Sequence, residues 1–129
     1  MTKVVLDASA VIALLRREPG AELVEKAIGD AEISAVNYAE IVSYYSHARK
    51  PESEIDAMLG NLPFVVVPVD ERLGRLAGHL RAVTSGSGLS LGDRFCLALA
   101  KQQKLSVLTA DREWQTIAEA VGVKIIVIR

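Results

Sequence analysis

The sequence predicts an α/β fold in which helices flank a parallel sheet. Short β-branched apolar runs alternate with longer stretches of helical spacing along the 129 residues, and this alternation is typical of βαβ units. Runs such as Val65–Val67 and Ile125–Ile128 are apolar at every position, which is typical of a sheet covered on both faces. Because 50% of the residues are hydrophobic, residues 1–129 are expected to bury a core as a single domain.

Two strands and four helices are predicted in the first half of the chain. The first strand is Val4–Leu6, and the helix after it ends near Arg17, because Pro19 and Gly20 both disfavour its continuation. Gly29 and Asp30 then turn the chain. The next helix is Ala21–Ile28, and Glu32–Ile33 is a very short strand. Ser34 can cap the helix Ala35–Arg49, and Pro51 opens the helix Glu52–Leu59.

Three strands and three helices are predicted in the second half. Asp70 is expected to cap a helix that continues to about Val83. The Ser- and Gly-rich segment Thr84–Gly88 is expected to be a flexible link. The remaining strands are Phe64–Val67, Ser106–Leu108 and Lys124–Ile128, and the remaining helices are Leu91–Gln103 and Arg112–Val121.

The composition excludes several classes of protein. The formal net charge is −1, from 15 basic and 16 acidic residues, so permanent nucleic-acid binding is not expected, although a local basic rim would be enough for a nuclease. Cys96 is the only cysteine, which excludes an intramolecular disulfide and indicates a small core residue. The apolar runs are too short to span a bilayer and the first residues lack a signal-peptide pattern, so a cytoplasmic location is expected.

Four acidic residues are placed where such a fold would bring them to one edge of its sheet. Asp7 and Asp111 follow strands, whereas Glu40 and Asp93 interrupt helices that are otherwise apolar. Ligands of open parallel sheets bind beyond the carboxyl ends of the strands. Carboxylates gathered there repel one another unless a cation binds them, and Mg²⁺ and Mn²⁺ prefer oxygen ligands. The sequence therefore predicts a divalent-metal site.

Three of the four acids have an alternative, purely local interpretation. Asp7 and Asp111 each precede a helix and could serve as N-caps, and Asp93 near a helix start would be favoured by the helix dipole. Ser9 is an alternative cap whose hydroxyl lies near the Asp7 carboxylate, where it could support the metal site or contact a substrate phosphate. Thr109 could orient Asp111.

Glu40 has no comparable local interpretation. It is the only charged residue between Ala35 and Ser46, and the helix around it is apolar on nearly every side, so this helix is expected to be largely buried. An unpaired carboxylate would cost roughly several kcal/mol there. No basic residue lies within one helical turn, so Glu40 needs a cation, a tertiary salt bridge or access to solvent.

Four segments are spread over essentially the whole chain, and the third and fourth are the most specific in order and spacing: Val5–Ala10, Ser34–Glu40, Leu89–Ala98 and Leu108–Trp114. Together they resemble PIN-domain ribonucleases, specifically the VapC-type toxins of bacterial toxin–antitoxin pairs. Trp114 stands where the family more often has Phe.

The resemblance implies both an architecture and an activity. The architecture is a five-stranded parallel sheet of order 3-2-1-4-5 with about seven helices, in which Asp7 and Asp111 flank one crevice. The activity is Mg²⁺- or Mn²⁺-dependent endoribonuclease cleavage, in which metal-activated water hydrolyses RNA phosphodiester bonds. The resemblance also implies a homodimer and a cognate antitoxin protein whose C-terminal segment lies in a groove and blocks the site.

Each acid is given a role by hypothesis. Asp7 and Asp111 are expected to bind the metal directly, and Asp93 to bind it or to complete a second ion. Glu40 is expected to hold a water on the metal or to accept its proton. An RNA backbone also needs positive charge nearby. Arg94 is the candidate next to Asp93, and it could contact a phosphate, contact an acidic partner or brace a carboxylate. The candidate basic residues are Arg16, Arg17, His47, Arg49, Lys50, Arg94 and Arg112.

Two other functions fit parts of the pattern. A PIN-like module could hold RNA or a protein without cutting, and metal-dependent cleavage would distinguish the two. A Mg²⁺-dependent phosphotransfer domain would also use carboxylates at strand ends. The dehalogenase type of such a domain has a second Asp two residues after the first, and Ser9 occupies that place here.

Overall fold

The computed structural model describes residues 3–129 and contains five strands in one parallel sheet. The strands are β1 Val4–Leu6, β2 Ala31–Ser34, β3 Val65–Val67, β4 Ser106–Thr109 and β5 Ile125–Val127. Their order across the sheet is β3-β2-β1-β4-β5, and all four pairings are parallel. The fold class and strand order expected from the sequence are confirmed.

All seven predicted helical stretches are present, and two of them are divided into shorter helices. Asp70–Val83 divides at Leu80, and Arg112–Val121 begins as a 3-10 helix, which is a common form at helix ends. Ser34 and Asp70 cap their helices with side-chain oxygens, as predicted. The α-helices are α1 Ala8–Leu15, α2 Ala21–Ala27, α3 Ala35–His47, α4 Glu52–Gly60, α5 Glu71–His79, α6 Arg81–Thr84, α7 Leu91–Gln103 and α8 Ala118–Val121, and the 3-10 helices are Ile28–Asp30 and Arg112–Thr116.

The core lies in two layers, one on each face of the sheet. Successive residues of β1 alternate between the faces: Val4 and Leu6 pack with residues of α1–α4, and Val5 packs with residues of α5, α7 and α8. Cys96 is fully buried in the second layer, which confirms its interpretation as a core residue. Among residues 3–129, no helix is both long and apolar enough to cross a membrane.

The expectation that the apolar strands are covered on both faces is wrong for β3. Val65 is 60% exposed and Val66 is 37% exposed, whereas every residue of β1 is buried. The difference follows from position, because β1 lies at the centre of the sheet and β3 forms its edge. The apolar run Val65–Val67 therefore predicted the strand correctly but not the exposure of its side chains.

The strand register brings the predicted site residues to the same edge of the sheet. Leu6 of β1 pairs with Leu108 of β4, and the Asp7 N–H continues this ladder by donating to the Leu108 carbonyl at 3.0 Å. Asp7 and Thr109 are thus neighbours at the carboxyl ends of adjacent strands. Helix α3 starts at the carboxyl end of β2 and contacts α7, which also packs on the central strands.

Candidate active site

The Asp7 carboxylate is held by two hydroxyl groups rather than by a helix. Asp7 stands at the N-cap position of α1, but its side chain makes no capping hydrogen bond. Instead, Asp7 Oδ2 accepts hydrogen bonds from Ser9 Oγ at 2.5 Å and from Thr109 Oγ1 at 2.9 Å. The capping interpretation of this buried aspartate is therefore wrong, and the expected proximity of Ser9 is confirmed.

The same hydroxyl groups connect the ends of β1 and β4. Thr109 Oγ1 accepts from the Asp111 N–H at 3.1 Å, and Ser9 Oγ accepts from the Ala110 N–H at 2.9 Å. Thr109 therefore fixes the backbone of Asp111, in agreement with the orienting role expected for it. Because Thr109 is completely buried, this connection is shielded from water.

Glu40 is half-buried, and its partner is an amide rather than a cation. Its Oε1 accepts from Asn37 Nδ2 at 2.7 Å, and the same Nδ2 donates to the Gly92 carbonyl at 2.9 Å. The salt bridges of residues 3–129 do not include Glu40. The prediction of a largely buried helix is wrong, since only Asn37, Ile41 and Tyr45 of α3 are fully buried.

Asp93 belongs to a capping box at the start of α7. Its Oδ2 accepts from the Ser90 N–H at 3.0 Å, and its own N–H donates to Ser90 Oγ at 3.1 Å. The expectation of a local role at the helix start is confirmed in this form. The box uses one carboxylate oxygen, so Asp93 Oδ1 remains available to a ligand.

Asp111 is the most exposed of the four acids. Its Oδ1 accepts from the Glu113 N–H at 3.0 Å, so the side chain caps the 3-10 helix Arg112–Thr116. The capping interpretation is confirmed here as well. The neighbouring Arg112 is also exposed, and its Nε donates to the Arg129 carbonyl at 3.0 Å.

The charges of two carboxylates, Asp93 and Glu40, act on the carboxylate of Asp7. Burial raises the pKa of Asp7 from 3.8 to about 6, the hydrogen bonds from Ser9 and Thr109 oppose this rise, and the charges of Asp93 and Glu40 add to it. Burial also raises the pKa of the Cys96 thiol, with further contributions from the charges of the same three acids. Asp7, Glu40 and Asp93 therefore form one negatively charged cluster, which we call the acidic cluster.

The chemistry of this cluster suits a hard divalent cation, although its side chains do not form a closed cage. Within residues 3–129, no three His, Cys, Asp or Glu side chains stand close enough together to hold a metal ion. The donors are nevertheless all carboxylate oxygens, the type that Mg²⁺ and Mn²⁺ prefer. A cation would also reduce the repulsion from Asp93 and Glu40, which adds to the effect of burial on the pKa of Asp7. Asp7, Asp93 and Asp111 are the residues that would hold it; the Asp111 N–H is joined to Asp7 through Thr109 Oγ1, and Glu40 lies against Gly92, the residue before Asp93.

Arg94 is a buried arginine that forms no salt bridge within residues 3–129. It is 8% exposed, and its Nη1 donates to the Leu89 carbonyl at 3.1 Å. Its buried Nε has no hydrogen-bond partner in the described chain, and no salt bridge of residues 3–129 includes it. Within residues 3–129 Arg94 therefore braces no carboxylate, and its contacts with a phosphate or with an acidic partner stay predictions.

Asn37 and Gly92 are the site residues that the sequence reasoning missed. Both contact Glu40, and the Asn37 contact with Gly92 joins positions 55 residues apart. One signal was present in the sequence: an Asn stands three residues before the acid in an otherwise apolar helix. Residues at this spacing lie on the same helical face.

A comparison with models of protein families identifies the family of this chain. The profile of the PIN domain matches residues 4–120. This chain belongs to the PIN-domain family. Among curated relatives, VapC ribonuclease Mb2780c of Mycobacterium bovis is 31% identical over 107 residues, which cover 75% of this chain and 82% of the relative. Ribonuclease VapC28 of Mycobacterium tuberculosis is 32% identical over 114 residues, covering 81% of this chain and 86% of the relative.

Solved structures share the PIN fold along the whole chain. DNA-bound VapBC from Salmonella typhimurium superposes with a TM-score of 0.76 at 20% identity and covers 100% of both chains. A toxin–antitoxin complex from Klebsiella pneumoniae gives a TM-score of 0.74 at 17% identity, covering 98% of each chain. At these identities the likeness establishes the fold of this PIN domain.

Proposed function

We propose that this PIN domain is a Mg²⁺- or Mn²⁺-dependent endoribonuclease that acts as the toxin of a VapBC-type toxin–antitoxin pair. The observation that carries the proposal is the acidic cluster at the carboxyl edge of the sheet, where Asp7, Glu40 and Asp93 interact without a salt-bridge partner in residues 3–129. The curated relatives named VapC ribonuclease support it.

The proposed reaction is hydrolysis of an RNA phosphodiester bond. A bound divalent cation would supply charge stabilisation for the phosphate and a lowered pKa for the attacking water. Asp7 and Asp111 would bind it from adjacent strand ends, and Asp93 from α7. Ser9 and Thr109 hold Asp7 Oδ2, which leaves Oδ1 for the ligand.

Glu40 would act as the proton acceptor. The attacking water gives its proton to the Glu40 carboxylate while its oxygen bonds to phosphorus. The bond from phosphorus to the leaving ribose oxygen breaks, and that oxygen keeps the bonding electron pair and takes up a proton from solvent. Asn37 occupies Glu40 Oε1, which leaves Oε2 for the proton. Glu40 is only half-buried, so its carboxylate can be reached by water. The exposed Arg112 next to Asp111 is the best-placed basic residue for the RNA backbone.

The partners follow from the same proposal. Several structures that share this fold are toxin–antitoxin complexes, and this supports a cognate antitoxin for the present chain. A homodimer and a cytoplasmic location belong to the proposal too. Light scattering of the purified protein tests the dimer, and a monomeric mass would contradict it.

Cleavage of total RNA by the purified protein, freed of any partner, tests the proposed activity. Mg²⁺, Mn²⁺ and EDTA are compared for the wild type, Asp7→Asn and Asp93→Asn, with Glu119→Gln as a control because Glu119 is an exposed acid on α8. We expect metal-dependent cleavage by the wild type and the control, and none by the two site variants. Calorimetric titration with Mn²⁺ is expected to detect binding to the wild type.

One observation favours a second candidate, a PIN-like module that binds RNA or a protein without cleaving it. The four acids do not form a closed ligand cage, and Asp93 and Asp111 make helix-capping contacts. RNA that is retained on a filter by the wild type but remains uncut in both metals would fit either this module or a nuclease with a very narrow target. Toxicity on expression in cells separates a narrow nuclease target from a binding module.

A further inference from the structure

A buried amide connects the two helices that carry Glu40 and Asp93. Asn37 lies in α3, one helical turn before Glu40, and its exposed fraction is 0%. Its Nδ2 donates to Glu40 Oε1 at 2.7 Å and to the Gly92 carbonyl at 2.9 Å. Because both partners are acceptors, only the NH₂ end of the amide satisfies them, and this chemistry fixes the orientation of the side chain.

Gly92 provides the space that Glu40 occupies. A Cβ atom built on Gly92 would lie 2.8 Å from the carboxyl carbon of Glu40 and closer still to Oε2. Real Cβ atoms essentially never make such contacts, so the absence of a side chain lets the Glu40 carboxylate lie directly against the first turn of α7. Gly92 immediately precedes Asp93, and the contact therefore places Glu40 beside a second member of the acidic cluster.

Packing alone does not explain an asparagine at position 37. Asn37 Oδ1 is buried and has no hydrogen-bond partner in residues 3–129, and a buried polar atom without a partner is unfavourable. A leucine has a similarly branched side chain and contains no polar atom that would lack a partner. The feature that a leucine could not provide is the pair of hydrogen bonds donated to Glu40 and to the backbone of Gly92.

We propose that Asn37 is a positioning residue for RNA hydrolysis, an inference that rests on the proposed nuclease function. Asn37 holds Glu40 Oε1 against the start of α7 and leaves Oε2 for the proton of the attacking water. It does not touch the substrate, and it acts through Glu40. Gly92 serves the same arrangement by providing the space.

Asn37→Leu tests this inference. The substitution removes both donated hydrogen bonds and also the buried oxygen that has no partner, so we expect the melting temperature to stay close to that of the wild type. We expect kcat to fall by about 10- to 100-fold, the range typical of residues that orient active-site groups. KM and the Kd for Mn²⁺ from calorimetry should change little, because in the proposed reaction Asp7, Asp93 and Asp111 hold the metal and Glu40 only accepts the proton. The probe is a short mixed-sequence single-stranded RNA that carries a fluorophore and a quencher.

Thr84→Val is the matched control for Asn37→Leu. Thr84 is also a buried polar residue in a helix, and its hydroxyl donates only to the Leu80 carbonyl. It lies on α6, which packs against α8. The kcat of Thr84→Val is expected to match that of the wild type. A lower kcat in Asn37→Leu then reflects the lost contact with Glu40 and not the loss of a buried polar group.

Two further variants separate positioning from a general structural role. Gly92→Ala should lower kcat similarly, because its Cβ displaces the Glu40 carboxylate; alanine is also a better helix former than glycine, so lost helix stability would not explain that fall. The double variant Asn37→Leu/Glu40→Gln should be no slower than Glu40→Gln alone, since residues that act as one unit are not additive.

The outcomes distinguish this inference from the proposed function. If the wild type cleaves RNA but Asn37→Leu retains the wild-type kcat, the positioning role is rejected and the nuclease function stands. The same conclusion follows if the double variant is slower than Glu40→Gln by the full factor that Asn37→Leu causes on its own. A loss of melting temperature with an unchanged kcat per folded molecule also rejects it. If the wild type neither cleaves RNA nor is toxic on expression in cells, the proposed function itself fails.

Discussion

The charge of Asp7 depends on its surroundings within the fold. Burial and the charges of Asp93 and Glu40 raise its pKa to about 6, against the 3.8 expected for an exposed aspartate, despite the opposing hydrogen bonds from Ser9 and Thr109. The folded state therefore binds this proton more tightly than the unfolded state. The resulting stability is complete below pH 3.8 and is lost as the pH rises through about 6.

Asp7→Asn should therefore stabilise the metal-free protein in a pH-dependent manner. In EDTA, we expect the free energy of unfolding to rise by up to about 3 kcal/mol near neutral pH and by much less at about pH 4. The amide oxygen of an asparagine can still accept the hydrogen bonds from Ser9 and Thr109. Urea unfolding over a pH series measures the effect, with Glu119→Gln as the control that should show little change. A gain of equal size at every pH would contradict the assigned cause.

At the scale of secondary structure, α7 depends on the capping box that also involves Asp93. Ser90→Ala removes the hydrogen bond from the Asp93 N–H to Ser90 Oγ, and we expect it to lower the free energy of unfolding by about 1 kcal/mol. Ser90→Thr retains a capping hydroxyl and should lose much less. Urea unfolding of the two variants tests this. Equal losses in both would show that packing at position 90, not the cap, stabilises α7.

The elements that the sequence predicts well are those whose signals are local. Helix α7 begins and ends at the predicted residues because a Ser cap and a continuous helical pattern define it. The exposure of β3 and the division of Arg112–Val121 were missed. The position of β3 at the sheet edge depends on the order of all five strands.

The candidate site shows the same division between local and tertiary information. Aspartates after strands are visible in the sequence, and the capping roles of Asp93 and Asp111 follow from their neighbours. The bridge from Asn37 to Gly92 joins positions 55 residues apart, and no local pattern predicts which carbonyl a buried amide reaches. The metal-binding roles of the four acids remain predictions.

At the scale of the whole molecule, the strand order concentrates negative charge in a protein of nearly neutral composition. Thr109 and Asp7 are 102 residues apart in sequence, yet they share a hydrogen bond at the centre of the sheet edge. The net charge of the chain is only −1, so the charge at this edge is a product of the topology. Repulsion within the acidic cluster opposes folding, and a bound cation would reduce it.

Mn²⁺ should consequently stabilise the entire fold. A ligand that binds only the folded state raises the free energy of unfolding by about 2.7 kcal/mol at a free concentration of one hundred times its Kd. We expect the melting temperature of the wild type and of Glu119→Gln to rise with Mn²⁺ and to return to its starting value in EDTA. Asp7→Asn should respond weakly, because it has already lost a central charge of the cluster. An equal rise in Asp7→Asn would place the cation at another site, since its binding would then be independent of the carboxylate at the end of β1.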